Sequence, residues 1–377
     1  MHAEWKDAKY YFPNGDITLL VSKTLFKVHR YILARDGSTF ENMFALDNVD
    51  RQATEPSRIN QTSGRFRSGS DTFEQDGVSD ENPIQMQGDT VDEFRDLLWS
   101  LYALPHEIML AMSSEGDTVK LSNVARMAHK YHFGTTESWA LQALLTCVQT
   151  PTAASSSDTP GSSSTRGGHL ETHALIQITE AAVLCMHPAL LNAVKLKWKA
   201  RISDRKDLGA AINVTERLGL RDLCGLAYYN TLLQGRDVWE AEPLLNREQR
   251  IRLLSGYHNL SRAGEQLADL PPELLHEPNC AIDQCNEGWG GFWQRMLSPD
   301  PIIGIGAQVL RHDRLDIVGR LLMAVSIMSA VDNGSLSELL PRSFSAEGEC
   351  VKPALDATLA YWRKTQDGLM DFFQDVL

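Results

Sequence analysis

The sequence has no long cluster of basic residues, and its net charge is strongly negative. It contains 36 lysine and arginine residues against 49 aspartate and glutamate residues, which gives a formal net charge of −13. Its longest basic stretch, residues 201–206, is interrupted by Asp204. General nucleic-acid binders and proteins of anionic membranes use extended basic surfaces. We therefore expect neither nucleic acid nor a membrane to be a partner of this protein.

The sequence also lacks a long hydrophobic run. The longest, from Leu321 to Val331, is shorter than the roughly 20 apolar residues that a membrane-spanning helix needs. Residues 1–7 are polar and do not have the pattern of a secretory leader. We expect a soluble intracellular protein, in the nucleus or the cytoplasm, whose six scattered cysteines are thiols in a reducing compartment.

Motifs that mark the common active sites are missing from the sequence. Gly304-Ile-Gly306 lacks the third glycine and the preceding strand of a dinucleotide-binding loop. The sequence has no phosphate-binding Gly-Lys-Ser/Thr loop and no Gly-x-Ser-x-Gly elbow. Acidic residues are abundant, but no pair stands apart as a general acid and base. We predict that the protein is not an enzyme and that it has no cofactor-binding residues.

Histidine and cysteine approach metal-binding spacing at two places, and both sets are incomplete. His129 and His132 are three residues apart on a predicted helix, without a third ligand at a recognisable spacing. Cys280 and Cys285, with His276 nearby, are the better group. A structural zinc site needs four ligands, and a second pair is missing from the neighbouring sequence. We predict no metal and interpret these residues as packing or surface positions.

Short strands and helices alternate over residues 14–150. Residues 16–21 and 24–29 carry β-favouring and apolar side chains, and the two residues between them suit a hairpin. A third short strand is predicted at 83–86. The stretch Thr90-Val-Asp-Glu93 has the form of a capping box, which predicts a helix starting there. Apolar periodicity predicts a pair of helices after it, up to residue 150.

Two polar segments interrupt this pattern. Residues 47–82 are rich in Ser, Asp, Arg, Gln and Gly, and residues 151–168 are rich in Ser, Thr, Gly and Pro. Such segments bury too little apolar surface to offset their ordering entropy. We predict a flexible insertion at 47–82 and a flexible linker at 151–168. The remainder, 169–377, has helical periodicity and predicts an α-helical C-terminal domain.

The C-terminal part repeats one helix pair weakly. The stretch from Ala211 to Leu220 is laid out like that from Val124 to Gly134, and a second predicted helix follows closely behind each. This similarity predicts the same helix–turn–helix unit in both halves of the chain, without the regular period of a solenoid.

A specific set of residues occurs in a recognisable order near the N-terminus. Asp16 opens the first predicted strand, Val28 precedes His29 and Arg30 at the end of the second, and Leu33 follows four residues after the histidine. The next helix carries a Phe-x-x-Met-Phe pattern formed by Phe40, Met43 and Phe44. With the strand at 83–86 and the helix after it, this order resembles the BTB/POZ family of protein-interaction domains over residues 14–150. Residues 252–262 and 280–293 resemble the helical region that follows this domain in many fungal proteins.

The resemblance implies an α+β fold, in which a small sheet with helical hairpins precedes a mainly α-helical domain. It implies a non-enzymatic protein that self-associates as a homodimer and recruits protein partners. Two alternatives within the family are a substrate adaptor on a cullin-type ubiquitin ligase scaffold and a transcriptional co-regulator. The position of His29, where a predicted strand meets a helix, favours a structural role over a catalytic one, with its neutral imidazole bonded to backbone groups there.

Asp16 and Arg30 are the candidates for an interaction site. They match positions that form a charged pocket near the two-fold interface of dimerising family members, and they would equally serve as an intrachain pair. Gly37 stands where the family has serine, so Ser38 would cap the next helix. The apolar side chains offered for a dimer face are Ile17, Leu19, Tyr31, Ile32 and Met43.

Overall fold

A computed structural model describes residues 5–45, 77–150, 170–278, 280–298, 314–344 and 350–374. The predicted linker at 151–168 lies outside these residues, as does the predicted insertion at 47–82 apart from its last six positions. The chain is mixed α and β, mostly helical, with a small four-stranded sheet near its N-terminus, which confirms the predicted α+β class. It divides into two compact units, Met1–Leu196 and Lys197–Leu377. Over the described ranges, no helix is both long and apolar enough to cross a membrane.

The sheet of the first unit is built on a tight hairpin. Strand β2 (Ile17–Val21) pairs antiparallel with β3 (Thr24–Val28), and Ser22 in the turn has a φ of 56°. Strand β4 (Ile84–Met86) runs parallel to β2 on one side, and β1 (Trp5–Tyr11) runs parallel to β3 on the other. The order is β1-β3-β2-β4. The hairpin and β4 confirm the predicted strands, whereas β1 was not predicted.

Helices account for the rest of the first unit. They are α1 (Arg30–Leu33), α2 (39–45), α3 (Val91–Tyr102), α4 (Pro105–Ala111), α5 (Thr118–Tyr131), α6 (Gly134–Gln149) and α7 (Thr172–Leu184). The capping box that predicted α3 is present in both directions. The Glu93 N–H donates to Thr90 Oγ1 over 3.3 Å, and the Thr90 N–H donates to Glu93 Oε2 over 3.2 Å.

The second unit is helical over its described residues. Helix α8 (Pro188–Ser203) includes the boundary between the units. The others are α9 (Leu208–Arg217), α10 (Arg221–Leu233), α11 (Arg236–Ala241), α12 (Arg247–Gln266), α13 (Ile282–Leu297), α14 (Ile317–Asp332) and α15 (Val351–Asp367). Two short 3₁₀ helices lie at Ser337–Leu339 and Leu369–Phe373.

The repeated helix pair is confirmed. Helices α5 and α6 form one hairpin, and α9 and α10 form the other. Each first helix ends at a left-handed residue, His132 with a φ of 61° and Gly219 with a φ of 67°. The next residue then donates its N–H five positions back, Phe133 to Ala128 O and Leu220 to Thr215 O, both over 2.9 Å. This is the Schellman geometry that closes many helices.

A buried arginine ties two helix ends together in the second unit. Arg320 on α14 donates from Nη1 to Gly264 O over 2.7 Å and from Nη2 to Leu297 O over 2.9 Å. These carbonyls lie in the last turns of α12 and α13, where intrahelical donors run out. Burial lowers the pKa of Arg320 from its ordinary value. The two carbonyl oxygens accept hydrogen bonds from its guanidinium in place of water.

Candidate functional site

Asp16 and Arg30 are brought together, but through the backbone of Arg30. Asp16 Oδ1 accepts a hydrogen bond of 2.6 Å from the Arg30 N–H, at the first residue of α1. The Arg30 guanidinium lies over the Phe44 ring, 4.4 Å from its centroid. A carboxylate at a helix N-terminus satisfies an otherwise unpaired N–H and favours the helix dipole. Asp16 thus makes an intrachain link, and the dimer-pocket role of both residues stays a prediction.

His29 lies where β3 hands over to α1, among aromatic side chains. Its backbone N–H donates to Tyr102 Oη over 3.0 Å, and its Nδ1 lies 3.0 Å from the same oxygen. Its ring centroid is 5.4 Å from that of Phe12. Burial raises the pKa of the Tyr102 hydroxyl. One phenol at the end of α3 therefore fixes both the backbone and the ring of His29, which favours the structural role.

The remaining motif residues pack inside the first unit. Leu33, Phe40 and Phe44 are buried, and Met43 is half-buried. Ser38 caps the second helix as expected, since its Oγ accepts from the Glu41 N–H over 3.3 Å and donates to Leu33 O over 2.5 Å. These residues form the frame of the unit and present little surface.

Three of the five side chains expected at an apolar dimer face are buried in the core of the first unit. Ile17, Leu19 and Ile32 are buried, so they are unavailable to a partner in this conformation. Tyr31 is exposed, with the Arg35 guanidinium 5.3 Å from its ring centroid. Three of the five side chains offered for this face therefore serve the core of the unit itself, and Tyr31 and the half-buried Met43 keep surface for a partner.

A different apolar surface lies on α4, a helix that was not predicted. Four large apolar side chains on α4 and at its two ends are exposed, namely Leu104, Met109, Leu110 and Met112, and we call them the α4 patch. Met109 and Leu110 expose 75% and 64% of their surface. The helix is closed at its start by Glu107, whose Oε2 accepts the Leu104 N–H over 2.8 Å.

The two histidines at 129 and 132 point to different partners. His129 Nδ1 lies 3.1 Å from Glu137 Oε1, with the Cys185 thiol close to both. His132 Nδ1 lies 2.9 Å from Thr39 Oγ1. Burial, together with Glu137, raises the pKa of Cys185 to about 12, so this thiol stays protonated near neutral pH and is a poor nucleophile.

The cysteine pair at 280 and 285 gains a partner from far along the chain. Ligand atoms of His276, Cys280, Cys285 and Cys350 all lie within 4.8 Å of one another. Cys350 is 65 residues beyond Cys285 (350 − 285), immediately before α15. The expectation that a second pair of ligands is missing was therefore wrong, because the fold brings Cys350 to the same point as His276. All six cysteines lie in the described residues, and none forms a disulfide.

Comparisons with known proteins give no match. No family model, no curated protein and no solved structure matches this chain. The resemblance to the BTB/POZ family therefore stays a prediction.

Proposed function

We propose that this chain is a non-enzymatic protein-interaction protein whose N-terminal unit is a BTB/POZ-type domain. The order of elements supports this proposal: a two-residue hairpin, a strand ending in His29 and Arg30, a short parallel strand, and then paired helices. The burial of Leu33, Phe40 and Phe44 agrees with their role as frame residues in such a domain.

The α4 patch is the observation that carries the proposal. Exposed large apolar side chains that lie close together in the chain are candidates for an interaction surface, and Met109 and Leu110 are more exposed than Ile251 and Leu254 on α12. Two of the four residues of the patch are methionines, whose flexible thioether chains adapt well to a partner surface and are enriched in interfaces. A second copy of the chain offers a matching apolar surface, and two identical patches meet across a two-fold axis. The proposed role is self-association through this patch, followed by recruitment of other proteins.

Light scattering on the full-length chain tests the proposal. We expect a mass that rises from monomer to dimer across the micromolar range. The double variant Met109→Glu/Leu110→Glu should stay monomeric with an unchanged circular dichroism spectrum, because two like charges would face two others across the axis. A matched control, Ile251→Glu/Leu254→Glu, changes exposed apolar residues on α12 and should dimerise as wild type does. A wild-type chain that stays monomeric, or an α4 variant that still dimerises, contradicts the proposal.

The adaptor and co-regulator roles rest on the family resemblance alone. Direct binding of the purified chain to a purified cullin would favour the adaptor role. Recovery of a DNA-binding protein as the main bound partner would favour the co-regulator role.

A further inference from the structure

The second unit collects one imidazole and three thiols at a single point. His276 and Cys280 are in the loop before α13, Cys285 is in its first turn, and Cys350 directly precedes α15. The His276 Nδ1 atom lies 3.4 Å from Cys280 Sγ and 3.8 Å from Cys350 Sγ. Zinc bonds of about 2.3 Å to sulfur and about 2.0 Å to nitrogen place tetrahedral ligands about 3.5 to 3.8 Å apart. The two distances from His276 are close to those of such a shell, and all four ligand atoms lie within 4.8 Å of one another.

A second hydrogen bond prepares His276 for such a role. The His276 Nε2 atom lies 2.9 Å from Asn286 Oδ1. An amide oxygen only accepts hydrogen bonds, so Nε2 carries the proton and the lone pair of Nδ1 faces the thiols. Histidine ligands of protein metals commonly have their other nitrogen fixed in this way.

The surroundings of the cluster suit a closed site. Cys285 and Cys350 are buried, and His276 and Cys280 are half-buried. The neighbouring Trp289 packs on Phe344 with a centroid distance of 5.5 Å and donates from Nε1 to Pro272 O over 2.9 Å. These contacts hold the loop against the helix, so the ligands are positioned by the fold.

Charge supplies a further argument. Several thiolates this close together repel one another without a cation between them. A divalent ion removes that repulsion, because it binds thiols in the deprotonated form.

We propose that His276, Cys280, Cys285 and Cys350 bind one zinc ion as a closed structural site. Three thiolates and one imidazole, with their ligand atoms within 4.8 Å of one another, are a donor set that zinc prefers, and four protein ligands leave no open position for catalysis. The ion would clamp the start of α15 to the start of α13. This zinc site is independent of the self-association proposed for the first unit.

Metal analysis of the full-length chain, expressed in zinc-supplemented medium, is the first test. We expect close to one zinc per chain by elemental mass spectrometry. After removal by a chelator, Co²⁺ should restore a tetrahedral thiolate spectrum in the visible range. A chain that contains no zinc and gives no such spectrum with Co²⁺ overturns the proposal, and so does stoichiometric iron with inorganic sulfide.

Ligand variants sharpen the test. Cys280→Ser and His276→Ala should lose zinc, whereas His276→Cys should retain it as a four-thiolate site. The matched control Cys224→Ser, at a buried cysteine on α10, should keep zinc at the wild-type level. Full zinc occupancy in Cys280→Ser and His276→Ala overturns the assignment.

Asn286 provides a variant that does not threaten folding, because its side chain is exposed. Asn286→Ala should weaken zinc affinity about 10- to 100-fold in chelator competition, while Asn286→Asp, which keeps an acceptor, should not. Equal affinities in Asn286→Ala and wild type would contradict the role given to His276.

Discussion

The two helical hairpins share one turn and differ in what they support. In both, a left-handed residue follows the first helix, and a buried residue, Phe133 or Leu220, directly precedes the second. Each also has a polar pair across the hairpin, His129 with Glu137 in the first and Glu216 with Tyr228 in the second. The shared turn depends on neighbouring residues and can be predicted from the sequence. The hairpins differ in the elements that pack against them.

In the second hairpin, the carboxylate of one residue, Glu216, links three helices. Glu216 accepts from Tyr228 Oη over 2.6 Å, from Gln249 Nε2 over 2.7 Å and from the Arg252 guanidinium. It therefore joins α9, α10 and α12. The 3₁₀ segment Leu369–Phe373 also packs directly on the backbone of α10. In the first hairpin, α5 packs instead against α3 and α7, so the same hairpin unit supports different neighbours in its two contexts.

The largest difference is expected at Gly225 on α10. A Cβ atom there would lie 2.5 Å from the Met370 backbone nitrogen, so a larger side chain must push the 3₁₀ segment away. Gly225→Leu should lower the free energy of unfolding by about 1–3 kcal/mol, measured by chemical denaturation. The corresponding residue of the first hairpin, Ser138, is exposed. Ser138→Leu should change stability by less than about 0.5 kcal/mol, and equal losses at both positions would contradict the comparison.

The polar pairs give the next largest difference. Glu216→Ala removes a charged acceptor from several donors and should reduce the free energy of unfolding by about 2 kcal/mol. His129→Ala removes one contact between half-exposed groups and should reduce it by less than about 1 kcal/mol. A double-mutant cycle with Tyr228→Phe checks that the loss arises at the hairpin. Additive losses would show that Glu216 and Tyr228 are not coupled.

The same pair predicts a pH dependence at the alkaline end. Burial and Glu216 raise the pKa of Tyr228 above its ordinary value of 10.0. Its contribution to stability is therefore complete below that pH and is lost as the pH rises above it, because only the unfolded phenol then ionises. Tyr228→Phe should show a smaller alkaline loss of stability than wild type.

The smallest difference is expected at the left-handed positions. Gly219→Ala places a Cβ where no atom lies within 4 Å, so its loss of about 1 kcal/mol is backbone strain alone. His132→Gly should relieve about 1–2 kcal/mol of the same strain in the first hairpin, offset by about 0.4–1 kcal/mol of extra chain entropy lost by glycine on folding and by the lost Thr39 contact. Thermal melts of both variants measure the two signs, and a destabilised His132→Gly would show that the Thr39 contact and the chain entropy together outweigh the strain.

These features differ in how far the sequence could predict them. The β2–β3 hairpin, the Thr90 capping box and both helical hairpins depend on neighbouring residues, and all were predicted. Strand β1 was missed because it buries only Asp7 and Tyr10 fully and therefore lacks a strand-like alternation. Cys350 was missed because it joins the cluster only through the packing of α13 and α14 and of α14 and α15. Features set by neighbouring residues could be predicted from the sequence, whereas the approach of segments distant along the chain could not.

The edges of the sheet limit how this protein can associate. Strand β4 has only three residues, too few to template another strand. Strand β1 has an irregular register between Lys6 and Tyr11. Asp7 turns its carboxylate onto the Lys9 and Tyr10 N–H groups of its own strand, over 3.0 and 2.8 Å. Short, charged and irregular edges discourage strand addition and the aggregation that follows from it. The self-association proposed above should therefore use helical surfaces and leave the sheet discontinuous between copies.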